Sequence, residues 1–169
     1  EKILFTARSS DKYNNSQLWV TDGTPQGTIL VADPDPLENT IEFNSEFIVI
    51  NGVAYFYVDS SSPEKKGIWR SDGTKDGTFI LQSFEQVGAN LDNIGTEKLL
   101  VTVSDGTRGA EPAIYDINTQ SWTFLADINT ADPATDFLTG GSWAGYQANL
   151  GEKILFTARS SDKYNNSQL

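Results

Sequence analysis

The stretch LWVTDGTPQGTILVAD runs from Leu18 to Asp33, and it decides the fold because IWRSDGTKDGTFILQS, from Ile68 to Ser83, repeats its pattern. Both stretches read apolar residue, Trp, any residue, Ser or Thr, Asp-Gly-Thr, two further residues, Gly-Thr and an apolar run. Glycine readily adopts a positive φ, and an Asp side chain accepts hydrogen bonds from the backbone amides that follow it. The pattern therefore predicts, twice, two strands joined by a tight Asp-Gly-Thr turn with a positive φ at the glycine.

A third, degenerate copy and a much longer repeat occupy the rest of the chain. IYDINTQSWTFLAD begins at Ile114, with Tyr115 in place of the Trp and a shorter Asn-Thr-Gln-Ser connection. The segment EKILFTARSSDKYNNSQL at 1–18 returns letter for letter at 152–169, an offset of 151 residues. We interpret the chain as a window cut from a tandem array in which each 151-residue unit holds three small units, and an engineered overlap is the alternative. The two copies are then expected to share one backbone conformation and to pair with equivalent strands.

Each small unit is predicted to hold four short antiparallel strands. In the second unit FIVI is followed by Asn51-Gly52, a strong two-residue hairpin signal, and then by VAYFYVD, GIWRS and GTFILQSF. No segment carries a sustained helical period, so the predicted fold class is all-β. Four-stranded units that repeat at about forty to fifty residues are typical of β-propeller blades, and a sandwich and a β-solenoid are the alternatives.

The predicted blades divide the chain into four segments. Residues 1–46 form the first blade, which starts at its second strand, residues 47–88 form the second blade, and residues 89–141 form the third. Residues 142–169 supply the first strands of the next blade. Propellers close with about four to eight blades, so three blades are too few for a ring. We therefore expect a larger assembly of further copies, either a six-bladed ring or a continuous array.

The repeated motif resembles a bacterial repeat family whose consensus is Glu-Leu-Trp-x-x-Asp-Gly-Thr-x-x-Gly-Thr. The matching stretches are QLWVTDGTPQGT from Gln17 and GIWRSDGTKDGT from Gly67, in which Gln and Gly replace the leading Glu. The resemblance implies a propeller-like fold in a secreted or surface-attached protein, and it implies no particular reaction. More loosely, the turn is similar to the Asp-box of sialidase-type blades, a likeness of structure alone.

Charge and composition exclude several functions. The formal net charge is −11, which argues against binding to nucleic acid or to anionic membranes, since both require basic patches. No apolar run is long enough for insertion into a bilayer. The sequence contains no His and no Cys, which rules out a Ser-His-Asp triad, a Cys-His pair and a histidine-ligated zinc site within these residues.

Acidic residues after the fourth strands are the candidate metal ligands. Asp33, Asp35 and Glu38 lie close together in DPDPLEN, where two prolines stiffen the backbone. A calcium ion requires about six to eight oxygen ligands, so an isolated Asp-Gly-Thr turn is too sparse to bind one. We favour a linker between blades for this segment, with calcium as the alternative and no other cofactor expected. DINTADPATD from Asp127 occupies the same place after the third blade.

Aromatic and basic residues offer two further hypotheses. Trp19 and Trp69 hold the same position in successive units, so we expect them to fill the wedge between neighbouring sheets, with sugar stacking as the alternative. Arg8, Arg70 and Arg108 occur once per predicted blade. They fall at the end of a second strand, inside a third strand and in a loop, and these places are not equivalent. A common substrate site built from these arginines is therefore not expected.

The sequence favours a protein without catalysis of its own. Identical copies in series are typical of a structural or adhesive tandem-repeat module, and the family resemblance implies an extracellular or cell-surface location. The expected partners are further copies of the same repeat unit, and glycans are a second class of partner. The alternative function is a carbohydrate-binding or glycosidase-like propeller that uses acidic and aromatic loop residues.

Overall fold

The computed structural model describes residues 2–8, 16–34, 41–43, 47–107, 109–130, 141–142, 144–150, 153–160 and 167–168. All regular secondary structure in these ranges is β-strand, and every strand pairing is antiparallel. The prediction of an all-β antiparallel fold is confirmed. Because these ranges contain no helix, they also contain none that could cross a membrane.

The strands of the described ranges are numbered in chain order. Their bounds are β1 Ile3–Arg8, β2 Ser16–Thr21, β3 Ile29–Ala32, β4 Ile41–Phe43, β5 Ile48–Ile50, β6 Val53–Ser60, β7 Gly67–Ser71, β8 Phe79–Ser83, β9 Gln86–Ile94, β10 Lys98–Ser104, β11 Glu111–Asp116, β12 Ser121–Phe124, β13 Gly145–Asn149, β14 Ile154–Arg159 and β15 Ser167–Gln168. They form two compact units, Glu1–Ser83 and Phe84–Leu169.

The first unit contains two sheets. Sheet 1 has the order β1-β2-β3, and sheet 2 has the order β4-β6-β7-β8, with β5 paired to the same edge of β6 as β4. The turn between β5 and β6 is the predicted hairpin, with φ of 51° at Asn51 and 78° at Gly52. β6 is rich in aromatic and β-branched residues, which suit a strand buried within a sheet.

A single apolar cluster joins sheets 1 and 2. Leu18 and Val20 of sheet 1 pack with Phe56, Val58 and Trp69 of sheet 2, and all five side chains are buried. Phe56 is 0% exposed, and full burial of such a ring contributes about 1.5–3 kcal/mol. The two sheets therefore stack face to face, and their stability depends on side chains that alternate along β2, β6 and β7.

Phe43 and Phe47 extend this cluster at its edge. The ring of Phe47 meets Phe56 edge-on with centroids 4.9 Å apart, and the ring of Phe43 lies 5.6 Å from the same ring. Edge-to-face and tilted contacts of this kind are the favoured arrangements of aromatic rings. They hold the strand segments that precede β6 against the core.

The second unit also contains two sheets. Sheet 3 has the order β12-β11-β10-β9, and sheet 4 has the order β13-β14-β15. On one face of sheet 3, the ring centroid of Trp122 lies 4.9 Å from the ring centroid of Tyr115 and 4.9 Å from that of Phe84. The hydroxyl of Thr102 donates a 2.8 Å hydrogen bond to the carbonyl of Ala144, which ties β10 to the residue before sheet 4.

The two copies of the repeated segment form the same hairpin. β1 pairs with β2 so that Ala7 lies opposite Gln17, and β14 pairs with β15 so that Ala158 lies opposite Gln168. The strands β1 and β14 cover corresponding residues, and the pairing register is identical at the offset of 151 residues. For Ile3–Arg8 and Ile154–Arg159 the strand bounds and the register agree as expected, and the equivalent blade position of the two copies remains a prediction. β14 has a further partner, β13, on its other edge.

Two strands begin before the predicted boundary of the blade whose sheet they join. β4 precedes the predicted boundary at residue 47, yet it pairs with β6 in sheet 2. β9 begins at Gln86, before the predicted boundary at residue 89, and it pairs with β10 in sheet 3. β4 therefore belongs to sheet 2 and β9 to sheet 3, while the division into blades remains a prediction.

Candidate functional site

The Asp-Gly-Thr turns have the conformation that the sequence predicts. Gly73 has a φ of 82°, and Gly23 has a φ of 93°. Oδ1 of Asp72 accepts hydrogen bonds from the amide of Thr74 at 2.9 Å and from its hydroxyl at 2.6 Å. Asp22 accepts the same pair of bonds in the first copy of the motif. Both carboxylates therefore stabilise their own turns by accepting hydrogen bonds from the threonine two residues later.

The second glycine of the motif has a role that the sequence did not reveal. The amide of Gly77 donates a 3.0 Å hydrogen bond to the hydroxyl of Thr74, and the carboxylate of Asp72 lies directly over its Cα. A Cβ at Gly77 would overlap that carboxylate, and a Cβ at Gly27 would overlap the carboxylate of Asp22. The spacing Asp-Gly-Thr-x-x-Gly is therefore a steric requirement of the turn.

A third turn of this kind connects β10 and β11. The carboxylate of Asp105 accepts hydrogen bonds from the amide of Thr107 at 2.9 Å and from its hydroxyl at 2.7 Å, and Gly106 has a φ of 84°. The tetrapeptide Ser-Asp-Gly-Thr at 104–107 was the available signal. It was missed because it lies between a different pair of strands and lacks the second Gly-Thr.

Hydrogen bonding to these carboxylates changes their acidity. The hydroxyl and amide of Thr74 hold the pKa of Asp72 below its usual value of 3.8. The corresponding groups of Thr24 lower the pKa of Asp22. The turn at 117–120 behaves similarly, because the amide of Thr119 lowers the pKa of Asp116. These carboxylates are ionised at neutral pH and serve as hydrogen-bond acceptors.

Of the three candidate calcium ligands, one lies in the described part of the chain. Asp33 follows β3, and its Oδ2 accepts a 3.1 Å hydrogen bond from Nε2 of Gln17. Asp35 and Glu38 lie outside the described residues. Within the described ranges, no three acidic side chains are grouped so that they could hold a metal ion. The calcium hypothesis for this segment remains a prediction.

The buried carboxylate of Glu111 is the main polar feature that sequence reasoning missed. Glu111 is 0% exposed at the start of β11. Its Oε1 accepts hydrogen bonds from the amides of Asn129 at 3.2 Å and Ser142 at 3.1 Å, and its Oε2 accepts one from the amide of Ile128 at 3.1 Å. These donors follow 17 to 31 residues later in the chain, so no local sequence signal indicates them.

Burial raises the pKa of Glu111, against the opposing effect of its hydrogen-bond donors. A raised pKa in a carboxyl group is also found at catalytic acids. Here every described partner is a backbone amide or the Ser142 side chain, and the residue is wholly enclosed. The arrangement anchors two backbone segments to β11, which is a structural role.

Of the arginines Arg8, Arg70 and Arg108, the first two are described, and they occupy different surroundings. The guanidinium of Arg70 lies 5.3 Å from the ring centroid of Phe79, and its Nη2 is 3.9 Å from Oδ2 of Asp72. Nε of Arg8 donates a 3.4 Å hydrogen bond to the hydroxyl of Ser16. Arg108 lies outside the described residues. The prediction that these places are not equivalent is confirmed for Arg8 and Arg70.

The described tryptophans, Trp19, Trp69 and Trp122, differ in how deeply they are buried. Trp69 is 7% exposed within the core between sheets 1 and 2, and its Nε1 donates a 2.9 Å hydrogen bond to the carbonyl of Lys65. The expectation that it fills the space between sheets is confirmed. Trp19 is half-buried, and Trp122 is half-buried against Tyr115 and Phe84.

Each unit also contains a cavity beside its paired sheets. A polar cavity of about 470 Å³ in the first unit is lined by Arg8, Ser16 and Glu42 among others. A more apolar cavity of about 430 Å³ lies in the second unit, between Leu100 and Ile114 of sheet 3 and Phe156 of sheet 4. The second cavity marks the junction of two sheets, whose apolar side chains line it from both sides.

The hydrogen bonds and apolar contacts described above stabilise the fold. The acidic side chains with the shortest hydrogen bonds are committed to turns, and the buried carboxylate is committed to backbone amides. The apolar side chains that cluster most closely lie between stacked sheets, which makes the faces of the sheets the candidate functional surface. The chain matches no protein-family model, and a search of curated proteins finds no match to it.

Proposed function

We propose that this chain is a non-catalytic structural or adhesive module of a tandem-repeat protein. The observation that carries the proposal is the common hairpin of the two identical segments, which pair in one register in two separate units. A sequence that folds in the same way at two positions behaves as a repeat of structure. Repeat proteins gain stability from contacts between neighbouring units, and they need no active site to do so.

The proposed architecture is of the propeller type, with three four-stranded blades in each 151-residue unit. Support comes from β5-β6-β7-β8 and β12-β11-β10-β9, two sets of four antiparallel strands that are consecutive in the chain. Two such units would give a six-bladed ring, and more would give a continuous array. The proposed location is outside the cell or at its surface, and the support for it is the resemblance of QLWVTDGTPQGT and GIWRSDGTKDGT to the bacterial repeat.

A chain that carries two complete 151-residue units tests the repeat hypothesis directly. In a linear repeat protein, stability is approximately the sum of unit terms and interface terms. We therefore expect the two-unit chain to melt at a higher temperature than the present chain, in one cooperative transition. Equal melting temperatures and two independent transitions would show that the units do not support each other.

Carbohydrate recognition is the second candidate function, and Phe79 is the observation that favours it. Its ring is 44% exposed, and the guanidinium of Arg70 lies 5.3 Å from its centroid. An exposed aromatic ring beside a charged hydrogen-bond donor is a suitable platform for a sugar. Glycan-array binding and a panel of chromogenic glycosides discriminate the two functions. The structural proposal expects neither saturable binding nor hydrolysis, and binding that Phe79→Ala abolishes would overturn it.

A further inference from the structure

Two kinds of sheet face meet in the first unit. The leucine face of sheet 1 carries Leu4, Leu18 and Val20, since residues opposite each other in an antiparallel pair share a face. It packs on the tryptophan face of sheet 2, which carries Phe56 and Trp69. The leucine face of a sheet is here defined by the residues aligned with Leu4 and Leu18, and the tryptophan face by the residues aligned with Phe5 and Trp19.

The same two kinds of face meet in the second unit. Ile114 of sheet 3 aligns with Leu18, and it lines the apolar cavity together with Leu100, its partner across the strands. Ile154 and Phe156 of sheet 4 line the other side of that cavity. Phe156 is the copy of Phe5, which lies opposite Trp19. The leucine face of sheet 3 therefore lies across this cavity from the tryptophan face of sheet 4.

The identical strands β1 and β14 consequently bury opposite faces at their first two residues. Ile3, on the tryptophan face of β1, is 63% exposed, whereas its copy Ile154 is half-buried. Leu4 is half-buried against the core of the first unit, whereas its copy Leu155 is 42% exposed. Because the sequences are the same, the exchange of exposure reflects which side of the strand has a neighbouring sheet.

The Asp-Gly-Thr turns give independent support that the tryptophan face of sheet 1 is uncovered. Gly73 of sheet 2 is buried, and a Cβ there would lie 3.6 Å from Cγ2 of Val20 in sheet 1. Gly23 holds the same place in sheet 1 and is exposed, with no atom within 4 Å of such a Cβ. Trp69 is 7% exposed, but Trp19 is only half-buried.

We infer that a second copy of this chain covers these faces, in a head-to-tail contact. The leucine face of sheet 4, with Leu155, stacks on the tryptophan face of sheet 1 of the next copy, with Ile3, Phe5 and Trp19. The inference rests on the proposed repeat function and concerns the contact between separate copies of this chain. The junctions within the two units supply the precedent, since each pairs a leucine face with a tryptophan face. Contacts between two different patches lead to rings when the rotation closes and to filaments when it does not.

The net charge of the chain sets the conditions for this contact. Copies with a net charge of −11 repel each other, and salt screens repulsion between exposed charges over about 10 Å at 0.1 M ionic strength. Burial of apolar side chains does not depend on that charge. Association is therefore expected to strengthen as the sodium chloride concentration rises.

Sedimentation and light scattering of the 18.5 kDa chain over a concentration series test the contact. We expect the mass of the wild-type chain to rise with concentration. Ile3→Lys and Leu155→Lys each place a charge on one of the two faces, and each is expected to weaken association by about tenfold or more. Val49→Lys is the matched control, because Val49 is 66% exposed in sheet 2 and the charge change is the same. It is expected to associate like the wild-type chain.

A mixture of the two variants distinguishes a head-to-tail contact from other arrangements. The Ile3→Lys chain keeps its leucine face and the Leu155→Lys chain keeps its tryptophan face, so the mixture is expected to form complexes of two chains and no larger ones. Circular dichroism verifies that each variant is folded.

A wild-type chain that stays at 18.5 kDa at every concentration and salt level would overturn the contact, as would association that neither variant weakens, which would indicate pairing through strand edges. A mixture that stays monomeric while the wild-type chain associates would also overturn it. Any of these results leaves the melting of the two-unit chain unaffected, so failure of the contact and failure of the repeat function are distinguishable.

Discussion

The carboxylate of Asp72 accepts two hydrogen bonds from Thr74, one from the amide at 2.9 Å and one from the hydroxyl at 2.6 Å. The same hydroxyl accepts a bond from the amide of Gly77 at 3.0 Å. Three residues of the repeated motif thus depend on one another. Because the carboxylate also lies over the Cα of Gly77, the identity of each residue constrains the others.

A double-mutant cycle measures this dependence. Asp72→Ala removes both bonds and is expected to lower the free energy of unfolding by about 1–2 kcal/mol. Gly77→Ala is expected to cost a similar amount, because its Cβ displaces the carboxylate. The double variant should lose little more than Asp72→Ala alone, since the clash disappears with the carboxylate. Urea unfolding provides the measurement, and Asp76→Ala in the same turn is the control. Additive losses would contradict the steric explanation.

Valine substitution at the two positive-φ glycines should have unequal costs. A β-branched residue is strained at the φ of 82° at Gly73 and of 93° at Gly23, and such strain costs about 1–3 kcal/mol. At Gly73 the branches would also press on Val20, whereas the space around Gly23 is open. We expect Gly73→Val to lower the melting temperature more than Gly23→Val, in dilute samples. Equal decreases in melting temperature would show that the Val20 side chain moves aside without a loss of stability.

Hydrogen bonds from Thr74 hold the pKa of Asp72 below its usual value of 3.8. Acid should therefore weaken the turn, because protonation of Asp72 removes these bonds. A carboxyl group with a lower pKa in the folded chain contributes stability above its unfolded pKa and loses it as the pH falls through the folded value. The difference in unfolding free energy between wild type and Asp72→Asn should therefore shrink as the pH falls from about 5 to about 2. A difference that stays constant over this range would contradict the assignment.

Glu111→Gln should destabilise the second unit although it nearly preserves volume. One of the two carboxylate oxygens becomes an NH2 group, which then faces a backbone amide donor from Ile128 or from Asn129 and Ser142. An unsatisfied buried donor costs about 1–3 kcal/mol, and we expect a loss in this range or slightly above it. Thermal unfolding is the measurement, and the exposed Glu97→Gln is the control. A loss below about 0.5 kcal/mol, the range of ordinary surface substitutions, would refute the anchoring role.

Local sequence signals predicted the parts of the fold that depend on local geometry. Asn51-Gly52 indicated a hairpin, and the Asp-Gly-Thr pattern indicated turns with a positive φ, because one or two residues determine each of these features. The overlap of Asp72 with Gly77 was not predictable, since it depends on the path of the intervening backbone. Glu111 was not recognised as an anchor because its partners are distant in the chain.

The exposure of the residues in the repeated strand could not be predicted from the sequence. ILFTAR at Ile3–Arg8 and at Ile154–Arg159 is one sequence, and nothing within it indicates which face is covered. Its apolar residues occur on both faces, as in a strand between two sheets. Only the neighbouring sheet determines whether Leu4 or Ile3 is the buried member of the pair.

The Asp-Gly-Thr turns also affect how the protein ages chemically. In a flexible Asp-Gly sequence, the glycine nitrogen attacks the side-chain carbonyl carbon of the aspartic acid and water leaves, which forms a succinimide. Water then reopens the ring to isoaspartate. Here the Gly73 amide instead donates a 3.0 Å hydrogen bond to the hydroxyl of Ser71, and Asp72 is held in its ionised form, which is a poor electrophile. The amide of Gly23 is occupied in the same way by the hydroxyl of Thr21. The fold thereby slows isoaspartate formation at dipeptides that are among the least durable in an unfolded chain.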